Sequence, residues 1–338
     1  MKRLIPAFAL LFILITSCGN KKSTSTSTTD PKDTLANTLT LLNEQLKNDP
    51  ENPNLLFERS KLYYNQKLIQ KASEDINKAV SLDSGNALFF LHQSDVYYAM
   101  NKIPEARVAI EKSLKINPKS REANTKMGEL QFYLRDYANA FKYLDEALKI
   151  DPYYAKAYFI KGLCFKENGD TGLAVSSFRT CIEQDPEYFH AYMQLGEIMS
   201  QQNNPMAIDY YTNAIRINAG MVEAYYGLAY YYQEHGQPED AIKVYQDLLN
   251  LDSHNAPAKH NIGYIYLFKL NDPGKSINHF NDAILDDQKM VNAYYHRGYA
   301  YEKLGKKDLA IKDYKKAVAL DPEFELAKNR LKKLGVSI

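Results

Sequence analysis

A spacing of 34 residues governs this chain. Pro118, Pro152 and Pro186 stand one period apart, Pro50 stands two periods before Pro118, and Ser84 fills the slot between them. The slot continues at Ala219, Ser253, Gln288 and Pro322, in steps of 33, 34, 35 and 34 residues. A fixed period of this length means a solenoid, one supersecondary unit stacked on copies of itself. Each period holds two stretches with apolar residues at intervals of three and four, the spacing of an amphipathic helix. Asp or Asn followed by Pro (Asn117-Pro118, Asp151-Pro152, Asp185-Pro186, Asp321-Pro322) stops one helix and starts the next. Counting places from Pro53, small residues at the eighth, twentieth and twenty-seventh let two helices approach. Large ones at the fourth, eleventh and twenty-fourth fill the gaps between successive pairs. A single pair cannot bury both of its faces, so each unit needs its neighbours.

Within the period a finer pattern recurs. Tyr192, Leu195, Gly196 and Met199 are followed by Ala207, Tyr211 and Ala214. Tyr225, Leu228, Ala229 and Tyr232 are followed by Ala241 and Tyr245. Tyr294, Gly298 and Tyr301 are followed by Ala310, Tyr314, Ala317 and Pro322. Tyr158, Gly162 and Phe165 precede Ala174, Phe178 and Pro186, and Ile262, Gly263 and Tyr266 precede Phe280 and Ala283. This resembles the tetratricopeptide repeat. Eight copies run from Pro53 to Phe324, 272 residues. The resemblance implies an all-α chain: an α-solenoid of eight helix-turn-helix repeats in a right-handed superhelix. Leu35, Leu39, Leu42 and Leu46 mark an N-terminal capping helix over residues 33–52, and Phe324, Ala327, Leu331 and Leu334 a C-terminal one over 325–338. Repeat three has Asn124 and Gln131 where aromatics are expected. Repeat five is one residue short near Asn203-Asn204-Pro205, and repeat seven one long near Asn271-Asp272-Pro273-Gly274. Both length changes are expected at the turn between helices, where a loop tolerates them.

In this family the stacked first helices line a concave groove, faced by the second, fifth, ninth and twelfth places. Carried over residue by residue, the resemblance puts Phe57, Lys61, Tyr64, Asp95, Tyr98, Glu122, Glu129 and Phe132 there. Lys156, Phe159, Lys166, His190, Met193, Glu197 and Glu223 follow, then Tyr226, Tyr230, His260, Tyr264, Asn292, Tyr295 and Tyr299. The partner-binding candidates are Phe57, Lys61, Asp95, Glu129, Phe159, Glu197, Tyr226, Tyr230, Tyr264, Tyr295 and Tyr299. Tyrosine offers large contact area with few rotors to freeze, which suits recognition. The fifth place is mostly aromatic or apolar and no ninth place holds Asn, so the carboxylate clamp of chaperone-binding relatives is not expected. Glu122, Glu129, Glu197 and Glu223 would suit a partner segment with some basic residues.

The N-terminus reads as an address. Lys2 and Arg3 precede an apolar run from Leu4 to Ile15, twelve residues, too short for a spanning helix of about 20. Ile15-Thr16-Ser17-Cys18 resembles a bacterial lipobox, which implies cleavage of residues 1–17 and acylation of Cys18. Residues 18–32, rich in Ser and Thr, read as a flexible tether. Gly19 after the cysteine, with Lys21 and Lys22 beyond it, implies by that resemblance a lipid-anchored protein of the bacterial envelope, at the outer membrane facing the periplasm.

The remaining signals exclude more than they add. With 42 Lys and Arg against 41 Asp and Glu there is no basic excess for nucleic acid. There is no HExxH, GxSxG, P-loop or dinucleotide fingerprint, and the seven His lack the i, i+4 pairing of a helix-borne metal site. Cys164 and His190 read as packing residues rather than nucleophile and base, and a Cys164–Cys181 disulfide is disfavoured by their heights on antiparallel helices. The expectation is a non-enzymatic adaptor that needs no cofactor and no metal. It would be held to a membrane by Cys18 and bind envelope proteins through its groove, in assembling secretion, motility or wall-remodelling machinery. Self-association is left open. The alternative is a glycan- or nutrient-binding accessory lipoprotein, since exposed tyrosines stack on sugar faces.

Overall fold

The computed structural model describes residues 31–337. The leader over 1–17, Cys18 and most of the expected tether lie outside the described residues. Those described fall into two compact units, one ending at Ser84 and one beginning at Gly85. Among the described residues there is no strand.

The first unit holds α1 (Pro31–Asn48) and one helical hairpin, α2 (Pro53–Asn65) and α3 (Ile69–Leu82). Leu42 and Leu46 of α1 are buried, and Leu41 on its other side is exposed. Asn52 caps α2, its side chain accepting from the backbone N–H groups of Asn54 and Leu55. Arg59 on α2 donates to both carboxylate oxygens of the buried Asp75 on α3 and to Asn43 of α1, which fastens the three helices.

The second unit stacks seven more hairpins. They are α4 (Ala87–Ala99) with α5 (Ile103–Ile116), α6 (Arg121–Tyr133) with α7 (Tyr137–Ile150), and α8 (Ala155–Glu167) with α9 (Thr171–Gln184). Next come α10 (Phe189–Gln201) with α11 (Met206–Ile217) and α12 (Val222–Glu234) with α13 (Pro238–Leu251). The last are α14 (Ala256–Tyr264), prolonged by a π turn over Ile265–Lys269, with α15 (Pro273–Asp286), and α16 (Val291–Lys303) with α17 (Lys307–Leu320). A lone helix, α18 (Glu325–Lys333), closes the series.

The repeat lives in three pieces of local chemistry. The turn inside each hairpin passes through one residue in the left-handed region: Lys67, Asn101, Arg135, Gly169, Asn203, Gly236, Asn271 and Gly305. Behind it the backbone closes a Schellman-type bond, as from Lys102 N–H to Tyr97 O at 2.9 Å. Between hairpins, an Asp or Asn side chain accepts from the N–H two residues on. It does so at Asn117, Asp151, Asp185, Asn218, Asp252, Asp287 and Asp321. Inside the hairpin, the eighth place meets the twenty-fourth. A Cβ on Gly162 would lie 2.5 Å from the Phe178 ring, on Gly196 2.8 Å from Tyr211, and on Gly263 2.7 Å from Phe280. Where the facing residue is the smaller Ile76, the eighth place holds Ser60, which donates to Ala72 O.

The small places of the second helices are sealed: Ala140, Ala147, Ala174, Cys181, Ala207, Ala214, Ala241, Ala310 and Ala317 are all 0% exposed. Cys164 and Cys181 are free, buried thiols, and burial raises both, Cys164 to about 12, which disfavours the nucleophilic thiolate. In repeat three, buried Asn124 satisfies itself by donating to the carbonyls of Pro118 and Ser120. The eighth place of α18 is the exposed Lys332, where the hairpins have Gly, Ser or Ala. A second helix needs Gly, Ser or Ala there to come close.

The extra residue of repeat seven is not in the inter-helix turn, as its sequence suggested. It is taken up inside the first helix, where Leu270 N–H bonds to Ile265 O in the i→i−5 pattern of the π turn. Nothing in Ile265 to Leu270 breaks a helix, so absorbing the insertion there keeps the left-handed turn residue, Asn271, in its place.

Candidate functional site: the first-helix face

In the second unit, side chains at the second, fifth, sixth, ninth and twelfth places of successive first helices reach one another. The candidate residues therefore share a continuous face, and it has two different halves.

From α4 to α10 the face is fastened by ion pairs between neighbouring repeats. Asp95 pairs with Lys126, Glu129 with Lys156 at 2.9 Å, and Glu197 with Lys166 at 2.7 Å. Lys166 also donates to Gln194 Oε1. Glu122 is held by its neighbour Arg121. The acids expected to attract a basic partner are thus mostly spent inside the chain. Phe159 is corrected as well: at 7% exposure it belongs to the core. Its ring packs 5.7 Å from Phe178 and 5.0 Å from Tyr188, which comes from the turn before α10 and covers it. His190 closes the same cluster from 6.1 Å, and burial lowers it to about 4, so it is neutral at pH 7.

From α12 to α18 the face is built of rings. Tyr230 is 46% exposed. Tyr226, one turn earlier, accepts from Asn261 of α14 and meets Tyr245 edge-on at 5.7 Å. Tyr264 lies 4.6 Å from Phe268, which stacks on Tyr299 of α16 at 5.6 Å and 15°. Arg330 of α18 lies over the far side of this row, 4.4 Å from the Tyr299 centroid, and donates to Glu302. Tyr295 packs on Tyr314 and, edge-on, on Phe324.

Two features of this half escaped sequence reasoning. Phe268, 41% exposed, takes the twelfth-place position because the π turn advances it; Leu267, which the count puts there, is buried. The signal was the single surplus residue in a segment free of helix breakers. The second is the contact of His260 and His296, 36 residues apart, whose Nε2 and Nδ1 lie 2.8 Å apart. Burial lowers both, His296 to about 3 with His260's charge as a lesser cause, so one neutral ring donates and the other accepts. Among the described residues no group of three or more His, Cys, Asp or Glu is placed to hold a metal ion.

In the first unit, Phe57 and Lys61 are half-buried on α2, with the Lys61 Nζ 5.1 Å from the Phe57 centroid and 3.0 Å from Glu58.

Such hairpins, with paired first and second helices and a lone helix at the end, define a helical-repeat protein. Family models described as the tetratricopeptide repeat match residues 53–86, 91–155, 155–188, 222–255 and 291–324. The chain is a tetratricopeptide-repeat protein, a family whose members are generally protein-interaction scaffolds. Among curated proteins it is similar to a UDP-N-acetylglucosamine–peptide N-acetylglucosaminyltransferase of Giardia intestinalis, 28% identical over 142 residues, 41% of this chain and 9% of that enzyme. A tetratricopeptide-repeat protein from Parabacteroides merdae superposes with TM-score 0.49 and 18% identity, covering 74% of this chain and 98% of the other. YrrB, described as a TPR protein with an unusual peptide-binding site, gives 0.42 and 18%, covering 66% and 98%.

Proposed function

We propose that this protein is a non-catalytic adaptor of the bacterial cell envelope, tethered by an acylated Cys18 and binding protein partners through the first-helix face. The observation that carries the reading is the row of rings from Tyr226 to Tyr299, in which Tyr230 and Phe268 stand 46% and 41% exposed. Aromatic rings left open beside rings that are packed give a partner large contact area at small entropic cost. The pairing of the face's acids and bases between α4 and α10 leaves that half less to offer. For the tether, no described helix is long and apolar enough to cross a membrane, and the lipobox-like Ile15-Thr16-Ser17-Cys18 supplies an alternative attachment.

The test has two arms. Replacing Cys18 by Ala should abolish incorporation of an alkyne-palmitate label and move the protein from the membrane to the soluble fraction. Cross-linking in cells followed by mass spectrometry should capture envelope proteins with the wild type and not with a Tyr230→Ala, Phe268→Ala double variant. Equal capture by both would reject the aromatic row as the binding surface. Capture of glycan instead of protein would replace the adaptor reading with that of an accessory receptor.

A further inference from the structure

Cations from neighbouring first helices neutralise several acids of this face. Asp95, Glu129 and Glu302, at the ninth or twelfth place, are each met by a cation from the next first helix along, and Glu197 by Lys166 from the one before. Lys126, at the sixth place of α6, meets Asp95. Lys156, at the second place of α8, meets Glu129. Arg330, at the sixth place of α18, meets Glu302. Between α12 and α14 no such pair forms, and the acid there, Glu234, stands at the thirteenth place. The counterparts of those cations on α14 are Asn261 at the sixth place and Pro257 at the second, and neither carries charge. Asn261 instead donates to the hydroxyls of Tyr226 and Tyr245. Glu234, at the end of α12, is exposed and pairs with no cation among the described residues; Gln233 donates to it at 3.1 Å.

Glu234 stands beside aromatic faces. Tyr226, Tyr230 and Glu234 follow one another at intervals of four on α12 and so lie along one side of that helix. The Glu234 carboxylate, with Tyr226 and Tyr264, adds to burial in holding the Tyr230 hydroxyl above its ordinary value, which places all four groups in one neighbourhood. A similar combination of ring and carboxylate, three residues apart instead of four, occurs two repeats on, at Tyr299 and Glu302. There the chain's own Arg330 occupies it, over the ring and hydrogen-bonded to the acid.

We propose that Tyr230, Tyr264 and Glu234 form a receptor for an arginine or lysine side chain on a protein partner. That side chain would lie over the Tyr230 ring and pair with Glu234, as Arg330 does at Tyr299 and Glu302. Charge complementarity selects the occupant: a cation gains both the ring face and the carboxylate, and an apolar or acidic side chain gains at most one. The inference rests on the first-helix face being the partner surface, and adds what the partner must present there.

The test uses the full chain and three fluorescein-labelled peptides, Gly-Ser-Gly-X-Gly-Ser-Gly-amide, with X as arginine, norleucine or glutamate, followed by anisotropy. Arginine should bind about tenfold more tightly than norleucine, with glutamate weakest. Glu234→Gln should erase most of the preference, and Glu234→Lys, which supplies an internal cation, should abolish arginine binding. Glu129→Gln, whose carboxylate already has a partner, should leave the preference unchanged. Glu234 is exposed, so helicity by circular dichroism should be unaltered in its variants. The assignment is overturned if no peptide binds at millimolar concentration, if arginine and norleucine bind alike, or if Glu234→Gln retains the full preference. Envelope-protein capture that depends on Tyr230 and Phe268 but not on Glu234 would leave the binding-face reading standing and remove only this one.

Discussion

The two halves of the first-helix face solve the same packing problem with different chemistry. Between α4 and α10, adjacent repeats are joined by Asp95–Lys126, Glu129–Lys156 and Lys166–Glu197. Between α12 and α18 they are joined by the Phe268–Tyr299 stack, the His260–His296 bond and the Asn261–Tyr226 bond. The hairpin core beneath does not change. Its glycine-against-ring contact appears at Gly162 and Phe178 in the first half and at Gly263 and Phe280 in the second. A repeat protein can thus hold its core fixed and vary one face, and the half whose contacts leave rings exposed is the half with surface to offer.

The largest expected effect tests the shared core. Phe178→Ala and Phe280→Ala each empty a fully buried site. Each should cost about 3–5 kcal/mol, read as a shift in the urea midpoint at constant slope. Similar losses are the expected outcome. A loss under 1 kcal/mol at Phe280 would mean that the aromatic half is loosely packed throughout, and the comparison would have to be redrawn.

A smaller effect is expected from deleting Lys269, the exposed last residue of the π turn. The deletion restores the common length, so α14 should run on as a regular helix with Asn271 still at the left-handed turn. Leu267 would then move to the half-open twelfth place, at a cost of up to about 2 kcal/mol. Phe268 would leave Tyr299, and envelope-protein capture should fall as it does in Phe268→Ala. Undiminished capture would show that the π turn is a tolerated insertion with no part in recognition.

This insertion marks where sequence reading stops. The period, the small eighth, twentieth and twenty-seventh places and the Asp or Asn at the junctions were legible because each is a backbone or close-packing demand repeated in nearly every copy. The π turn was not, because a count shows a surplus residue without showing where a helix absorbs it. The aromatic row from Tyr226 to Tyr299 was visible as a strip of places, yet Phe159, at an equivalent place, is buried by Tyr188 from a turn that no helix period describes. The inter-repeat ion pairs and the His260–His296 contact join residues about one period apart, and side-chain reach, not spacing, decides which of them meet.

Acid should separate the halves next. His260, buried, and His296, partly buried, are neutral among rings, and His190 is likewise lowered beside Phe159, Tyr188 and Phe189. Unfolded, each titrates near its ordinary 6.5. As pH falls below 6.5 the unfolded state takes up protons that the folded state refuses. Stability present above that value is therefore lost, by up to about 1.4 kcal/mol per pH unit for each histidine. For His190 the loss levels off near 4, and for His296 near 3. Two such groups against one predict that amide exchange at pH 5, corrected for intrinsic rate, accelerates more in α14 and α16 than in α10. The opposite order would place the acid-labile region in the wrong half.

The smallest effect belongs to the ion pairs. Lys156 and Glu129 keep 27% and 31% of their side chains exposed, and Lys166 and Glu197 keep 25% and 40%. Water and salt screen pairs this open, so Glu129→Gln or Glu197→Gln should cost at most about 1 kcal/mol, and less in 1 M salt, where the Debye length shrinks to about 3 Å. Tyr230→Ala should instead show no salt dependence in its stability change, since the tyrosine side chain is uncharged and makes no ion pair. If the two glutamine variants lose as much at 1 M salt as at low salt, the α4–α10 face is held by the packing of its lysine stems rather than by charge. The contrast between the halves would then be one of ring against methylene.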